Sequence, residues 1–197
     1  MNKQKKSEAR LGQVLDAAAE CFVLEGFHNA SVSKVAKRAG MSVGHIYHYF
    51  ENKDAIIKAL VEREIREADE RTSEIVMLGR NEFYESTIEK LDEAVDQKAD
   101  PFHSILNMEI LAESQRNPDI ACILREFDQL MKERFTTYFR ERLQLDTPDA
   151  RVEMLFLVFQ GLPTRLLRNP DITHDAIIPM IRRTIQLILD MPPQPQT

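Results

Sequence analysis

The sequence has few cysteines and no long apolar run, whereas small secreted proteins often depend on disulfides and membrane proteins on long apolar helices. It has two cysteines, six glycines and no tryptophan in 197 residues. Cys21 and Cys122 stand far apart in apolar helical patterns, so we expect reduced core residues of a cytoplasmic protein. Because no run approaches about 18 consecutive apolar residues, we expect no membrane-spanning helix. The charged start, MNKQKKSEARLG, is not typical of a secretory signal.

Motifs for the common kinds of chemistry are also missing. The sequence has no glycine-rich phosphate loop, no nucleophile elbow and no cysteine or histidine cluster at zinc spacing. The nearest approach to a metal set is Glu109 and Glu113, one helical turn apart, but His103 lies off their face, which favours an ordinary helix surface or pocket lining. His45 and His48 are spaced to chelate in principle, although another role, given below, explains them more economically. We therefore expect no enzyme, no cofactor and no bound metal.

Charge is distributed unevenly along the chain, whose net charge is −6. Residues 1–53 carry eight Lys and Arg against five Asp and Glu, a balance of +3, which leaves −9 for residues 54–197. A basic end followed by an acidic body is typical of a protein that presents one end to a polyanion such as DNA.

Apolar residues recur at helical spacing along the chain, with no strand-like alternation of any length. Asn52, Asp100, Asn117 and Thr147 stand where helix caps are needed, and the last three precede a proline, which suits the first helical position. The sequence therefore predicts an all-α fold of about nine helices. The predicted ranges are about 7–25, 32–39, 43–49, 53–78, 81–98, 101–116, 118–145, 148–168 and 173–190.

The stretch Ser31–Lys53 has the pattern of two short helices joined by a tight turn. Ser31 and Ser42 are placed to cap the two helices, and Gly40 suits the turn between them. Ile46 and Phe50 share one face of the second helix and are expected to pack on the first. This arrangement is typical of a helix-turn-helix, whose second helix enters the DNA major groove N-terminus first. The opposite face of the second helix presents Val43, Gly44, His45, Tyr47, His48 and Tyr49.

Residues 14–61 resemble the DNA-binding domain of the TetR/AcrR family of transcriptional regulators. The resemblance covers roughly a quarter of the chain without a gap, and Ala30 and Val43 depart from residues common in the family. It implies a three-helix helix-turn-helix domain over 1–53 and a larger helical ligand-binding and dimerisation domain over 54–197. The charged residues of 1–6 by themselves predict a disordered basic tail. The matching residues are Ala17, Ala18, Phe22, Gly26, Phe27, Val32, Val35, Ala36, Ala39, Gly40, Ser42, Gly44, Tyr47, Phe50, Lys53 and Leu60.

The exposed side chains of the second helix divide into two expected roles on DNA. Val43, Gly44 and His45 lie at its N-terminal end, where side chains reach base edges. A second group is expected to position the helix through phosphates, with three serines assisting. That group is Tyr47, His48, Tyr49 and Lys53, and the serines are Ser31, Ser33 and Ser42.

The last two helices are the most apolar of the body, and the resemblance implies that they form a four-helix bundle with a second copy of the chain. The expected interface residues are Leu155, Phe159, Leu162, Ile177, Ile181 and Ile185. The alternative is that these helices only close the core of the monomer. A ligand pocket is expected among the body helices over 81–168, with His103, Glu109, Glu113, Arg116 and Arg165 as candidate contacts.

The resemblance implies one function, and the sequence leaves a second one open. The first is a homodimeric repressor that binds a palindromic double-stranded operator and is released by a small-molecule inducer. The second is a helix-turn-helix regulator without a small-molecule ligand, controlled by a protein partner or by its own abundance.

Overall fold

The computed structural model describes residues 3–89, 91, 95, 100–169, 171–172 and 174–190. Over these residues the chain forms nine helices and no strand, which confirms the all-α prediction. No helix in the described ranges is long and apolar enough to cross a membrane. The helices are α1 (Lys3–Asn29), α2 (Val32–Arg38), α3 (Val43–Tyr47), α4 (Lys53–Ile75), α5 (Arg80–Glu89), α6 (Pro101–Ser114), α7 (Pro118–Glu141), α8 (Pro148–Arg168) and α9 (His174–Ile188).

Most helix starts follow the predicted caps. The Oδ1 atom of Asn52 accepts a hydrogen bond from the Ala55 amide at 2.8 Å. Asp100 Oδ1 accepts one from the Phe102 amide at 3.1 Å, and Asn117 Oδ1 accepts one from the Asp119 amide at 3.1 Å. Thr147 is an exception, because its backbone is left-handed (φ 45°) and its side chain makes no capping hydrogen bond. The cap prediction at Thr147 was therefore wrong, although α8 does begin at the proline that follows.

The N-terminal segment also differs from the prediction. Helix α1 begins at Lys3, so residues 3–6 are helical and the predicted disorder over 1–6 is wrong for them; residues 1–2 lie outside the described part of the chain. Within α1 only Gly26 leaves the helical conformation, with φ 76° and ψ 158°. The predicted tail at the other end of the chain, and much of the predicted segment 90–99, lie outside the described residues.

The chain divides into two compact units. The first comprises Met1–Ala68 and Ile105–Arg125, and the second comprises Asp69–Ser104 and Glu126–Thr197. Helices α4, α6 and α7 each contribute residues to both units. The helix-turn-helix segment lies wholly within the first unit, and the functional division after residue 53 stays a prediction.

The core of the first unit contains buried residues from α1, α2, α3 and α4. Phe22 and Phe27, both fully buried, pack edge to face with ring centroids 4.5 Å apart. Ile46 from α3 and Leu60 from α4 are also fully buried. Burying each such side chain contributes about 1.5–3 kcal/mol, so this core fixes the position of α3.

The core of the second unit is rich in aromatic rings. Phe83 packs edge to face on Tyr138, with ring centroids 5.3 Å apart, and Phe135 packs in the same way on Phe156 at 6.1 Å. The Tyr138 hydroxyl donates to the Leu78 carbonyl at 3.1 Å. Burial raises the pKa of Tyr138 to about 12, since the charged phenolate would lose its hydration there.

The two cysteines have different surroundings. Cys21 is buried, as predicted, and burial raises the pKa of its thiol despite the neighbouring Arg38. Cys122 is exposed, so its assignment to the core was wrong. No disulfide joins the two residues.

Candidate nucleic-acid interface

Helix α2 is fixed at both ends by local interactions. The Ser31 side chain accepts the Lys34 amide at 3.3 Å, which caps the helix as predicted. Gly40 follows the helix with φ +63°, a left-handed conformation that glycine adopts at least cost. The Met41 amide donates to the Ala36 carbonyl at 2.9 Å and closes the turn.

Helix α3 turns one face to the core and the other to solvent. The Ser42 side chain accepts the His45 amide at 3.2 Å, which caps the helix as predicted. Ile46 and Phe50 are buried within the first unit, also as predicted. The cap and these two anchors set the direction in which α3 points its N-terminal end.

The exposed face of α3 carries the side chains that the sequence analysis assigned to DNA. Val43, Gly44, His45, Tyr47 and His48 are all exposed, and Tyr47 retains 52% of its accessible surface. Tyr49 is half-buried instead. The Tyr49 ring lies 5.5 Å from that of His45 and 5.4 Å from that of His48. The three rings therefore form one aromatic cluster beside the exposed face.

Three cations of the helix-turn-helix segment are bound by groups of the same chain. Lys34 pairs with Glu25, and Arg38 pairs with Glu20 at 2.5 Å. The Lys53 ammonium donates to the backbone carbonyls of Phe27 at 2.8 Å and His28 at 3.0 Å. Two of its three N–H donors are thus used, which leaves one for a phosphate.

The three serines assigned to phosphates also have partners within the chain. Ser31 and Ser42 serve as helix caps, and the Ser31 and Ser33 hydroxyl oxygens lie 2.8 Å apart. Their contact with DNA stays a prediction.

The five candidate ligand contacts are divided between the two units, and their role stays a prediction. In the first unit, Glu109 accepts the Phe27 backbone amide at 3.0 Å, and Arg116 pairs with Glu113 at 3.2 Å. In the second unit, His103 lies 3.6 Å from Asp100, and Arg165 lines a groove between α8 and α9. No group of three metal-ligating side chains occurs within the described part of the chain.

The predicted interface residues on α8 and α9 are largely turned toward their own core. Ile185 is completely buried and Leu162 nearly so, while Leu155, Phe159, Ile177 and Ile181 are half-buried against the core of the second unit. Their role in an interface stays a prediction. The sequence analysis did not name the apolar residues that are exposed on the same two helices. Apolar residues surround α8 on almost every side between positions 154 and 159, so periodicity could not distinguish them. These exposed residues are Met154, Leu157, Met180 and Leu187.

A groove runs between the same two helices. It encloses about 470 Å³, and most of its lining is apolar. Its lining residues are Val158, Leu162, Arg165, Ile172, Ala176, Ile177, Met180, Ile181 and Thr184.

The fold and the exposed face of α3 define a helix-turn-helix DNA-binding protein. Residues 14–60 match the model of the bacterial regulatory proteins of the tetR family. The HTH-type transcriptional regulator UidR of Escherichia coli (strain K12) is 30% identical over 157 residues, which cover 78% of this chain and 77% of that protein. The chain therefore belongs to the TetR/AcrR family of transcriptional regulators.

Solved structures share the fold at low sequence identity. FadR from Bacillus subtilis, in complex with stearoyl-CoA, aligns with a TM-score of 0.69 and 23% identity over 91% of this chain and 97% of its own. A transcriptional regulator from Saccharomonospora viridis, in complex with choline, aligns with a TM-score of 0.70 and 17% identity over 93% of this chain and 96% of its own.

Proposed function

We propose that this chain is a cytoplasmic repressor that binds a palindromic operator as a homodimer and releases it when a small molecule enters the helical body. The observation that carries the proposal is the composition of α3. Within α3 the buried residue is Ile46, with Phe50 just beyond its end, while the other four residues of the helix and His48, which follows it, are exposed. A helix so lightly anchored gains little stability from its exposed histidines and tyrosine, which favours a role in recognition.

Gly44 supports the same conclusion. A methyl group added at Gly44 would meet no atom of the chain within 4 Å. Glycine within a helix costs about 0.5–1 kcal/mol relative to alanine, and the fold offers no steric reason to accept that cost. Close approach of a DNA base edge to the α3 backbone supplies one. In this arrangement Val43 and His45 flank Gly44 and contact the neighbouring bases.

Dimerisation is supported by the exposed apolar residues of α8 and α9. Leu157 retains 66% of its accessible surface and Leu187 retains 71%, and the groove between the helices is open beside them. A second copy packed on this surface would cover these residues. A two-fold dimer places its two α3 helices in successive major grooves, about 34–36 Å apart, so the operator is palindromic.

The ligand response is supported by two relatives of the same fold, one in complex with stearoyl-CoA and the other with choline. These ligands share little chemistry, so they identify no inducer for this chain. A ligand shifts the equilibrium only if it binds the DNA-incompetent arrangement more tightly than the competent one. Helix α4 contributes residues to both units, and we infer that a ligand displaces its C-terminal half and that the helix carries this shift to the helix-turn-helix.

The test begins with duplexes selected from a random pool by the full chain. We expect palindromic sequences, and light scattering should give a dimer in solution. Stearoyl-CoA, choline and a panel of other small metabolites are then screened for a rise in melting temperature. Any compound that binds is measured against free protein and against the protein–operator complex. The same factor must weaken ligand on DNA and DNA with ligand.

Three results would contradict the proposal. A monomer on DNA would exclude the dimer, and failure to select any duplex would exclude operator binding. Ligand affinity that is unchanged by the operator would favour the second candidate, a regulator controlled by a protein partner or by abundance.

A further inference from the structure

Residues 26–28 form a turn whose backbone is held by two side chains of opposite charge. Glu109 Oε2 accepts the Phe27 N–H at 3.0 Å. From the other side, Lys53 Nζ donates to the Phe27 carbonyl at 2.8 Å and to the His28 carbonyl at 3.0 Å. Both polar groups of the Phe27 backbone are therefore bonded to charged side chains. Hydrogen bonds of this kind are about twice as strong as those between neutral groups.

The conformation of Gly26 allows the carboxylate to approach. Its φ of 76° and ψ of 158° lie in a region that is essentially restricted to glycine. A Cβ at this position would lie 3.3 Å from Glu109 Oε2, which is tighter than an ordinary contact. The break at Gly26, the buried Phe27 ring and the Glu109 carboxylate therefore depend on one another.

The turn fixes where the helix-turn-helix begins. Three residues after Phe27 comes buried Ala30, followed by Ser31, the cap of α2. A shift of the turn would move the start of α2, and α3 is packed on α2 through the tight turn at Gly40. The two side chains that hold the turn come from α4 and α6, and each of these helices also contributes residues to the second unit.

We propose that Glu109 is a positioning residue for DNA binding, which holds the 26–28 turn in the arrangement that α3 needs to enter the major groove. This inference rests on the proposed function, because it assumes that the chain binds an operator. It assigns Glu109 a role different from the ligand contact expected from sequence. It also gives α6 a path to the helix-turn-helix in addition to α4, since any movement of α6 that withdraws the carboxylate releases the turn.

The sign of the expected effect separates this role from simple electrostatics. Glu109→Leu removes a negative charge from the DNA-binding unit, and on Coulomb's law alone that change strengthens binding to a polyanion. If Glu109 positions the turn, loss of its hydrogen bond to the Phe27 amide weakens DNA binding instead. A matched control is Glu62→Leu, which removes an exposed carboxylate from α4 in the same unit.

The experiment measures the affinity of three variants for a duplex selected with the full wild-type chain, at one salt concentration. We expect Glu109→Leu to weaken binding about tenfold, the loss of one charge-assisted hydrogen bond. Glu109→Gln retains an oxygen that accepts the Phe27 N–H and should remain within about threefold of wild type. Glu62→Leu should bind as tightly as wild type or slightly more tightly. Thermal unfolding of each variant accompanies the titrations.

Hydrogen exchange of the wild-type chain tests the same contact without any substitution. If DNA binding requires the held turn, the operator must slow exchange of the Phe27 amide, since binding and turn closure are linked. This measurement keeps the inference testable even if Glu109→Leu fails to fold.

The outcomes are distinct. Binding by Glu109→Leu as tight as that by Glu62→Leu would overturn the inference, as would equal losses in the Leu and Gln variants. Exchange at Phe27 that is unchanged by the operator would also overturn it. If the wild-type chain selects no duplex at all, the proposed function fails instead, and the two failures are therefore not confused.

Discussion

The Lys53 ammonium lies 2.8 Å from the Phe27 carbonyl oxygen, and this hydrogen bond ties the first residue of α4 to the turn that precedes α2. The two residues are separated by 26 positions. Lys53 was expected to contact a phosphate, and it keeps one donor for that purpose. In the structure, however, its ammonium donates to the backbone carbonyls of Phe27 and His28.

Lys53→Met retains the aliphatic stem and removes the ammonium. We expect the free energy of unfolding to fall by about 1–2 kcal/mol, because two charge-assisted hydrogen bonds are lost. Affinity should fall by a similar factor on every duplex sequence, and the salt dependence of log K should decrease by about one unit. Urea denaturation and DNA titrations at several salt concentrations measure these effects.

The control for Lys53 is Lys58→Met, which removes an exposed ammonium from the same helix. Its stability should match wild type. A change in the preferred operator sequence on Lys53→Met would contradict the assignment.

Gly26→Ala should destabilise the chain by about 1–3 kcal/mol, because alanine is strained at the backbone angles of this residue. Gly12 offers a matched control within the same helix, since it is helical and a methyl group there would meet nothing within 4 Å. Gly12→Ala should stabilise the chain by about 0.5–1 kcal/mol. Urea denaturation of both variants should give changes of opposite sign, and equal changes would contradict the role of Gly26.

His45→Ala should relax base preference at one position of each half-site. The loss is expected to be about 1–3 kcal/mol on the preferred sequence and much smaller on duplexes already changed at that base pair. Titration against a panel of duplexes with single base-pair changes measures this pattern. A uniform loss across the panel would place His45 on the phosphates instead.

If the proposed dimer forms through α8, Leu157→Glu should convert it to a monomer at micromolar concentration, because the variant places a charge on the exposed apolar surface of α8. Leu130→Glu is the control, since Leu130 is exposed on α7 in the same unit. Light scattering should give the dimer mass for Leu130→Glu and the monomer mass for Leu157→Glu. An unchanged dimer in both would exclude this surface of α8.

Tyr138→Phe should reduce the dependence of stability on alkaline pH. Burial raises the pKa of Tyr138 to about 12, while an unfolded tyrosine ionises near pH 10. The contribution of the neutral Tyr138 phenol to the free energy of unfolding is therefore fully present below about pH 10, and it is lost as pH rises toward 12. Urea denaturation between about pH 8 and 11 should give a flatter curve for the variant. At neutral pH the variant should lose about 1 kcal/mol with the hydrogen bond to Leu78.

Local signals in the sequence determined the helices and the helix-turn-helix. Ser31, Ser42 and Asn52 cap their helices as predicted, and Gly40 adopts the left-handed conformation of the turn. These features depend on residues only a few positions apart, so composition and spacing are sufficient to predict them. The same is true of the side of α3 that carries Ile46, because a single apolar face was available.

Only the tertiary structure decided how distant groups pair. Glu109 and Phe27 are 82 positions apart, and no local pattern links a carboxylate on α6 to a backbone amide in the turn before α2. The exposed side of α8 was likewise undecided, since its residues 154–159 are all apolar and only packing against the core of its own unit left Leu157 in solvent. Hydrophobic burial is non-directional, so a helix that is apolar on every side turns whichever face fills the core best.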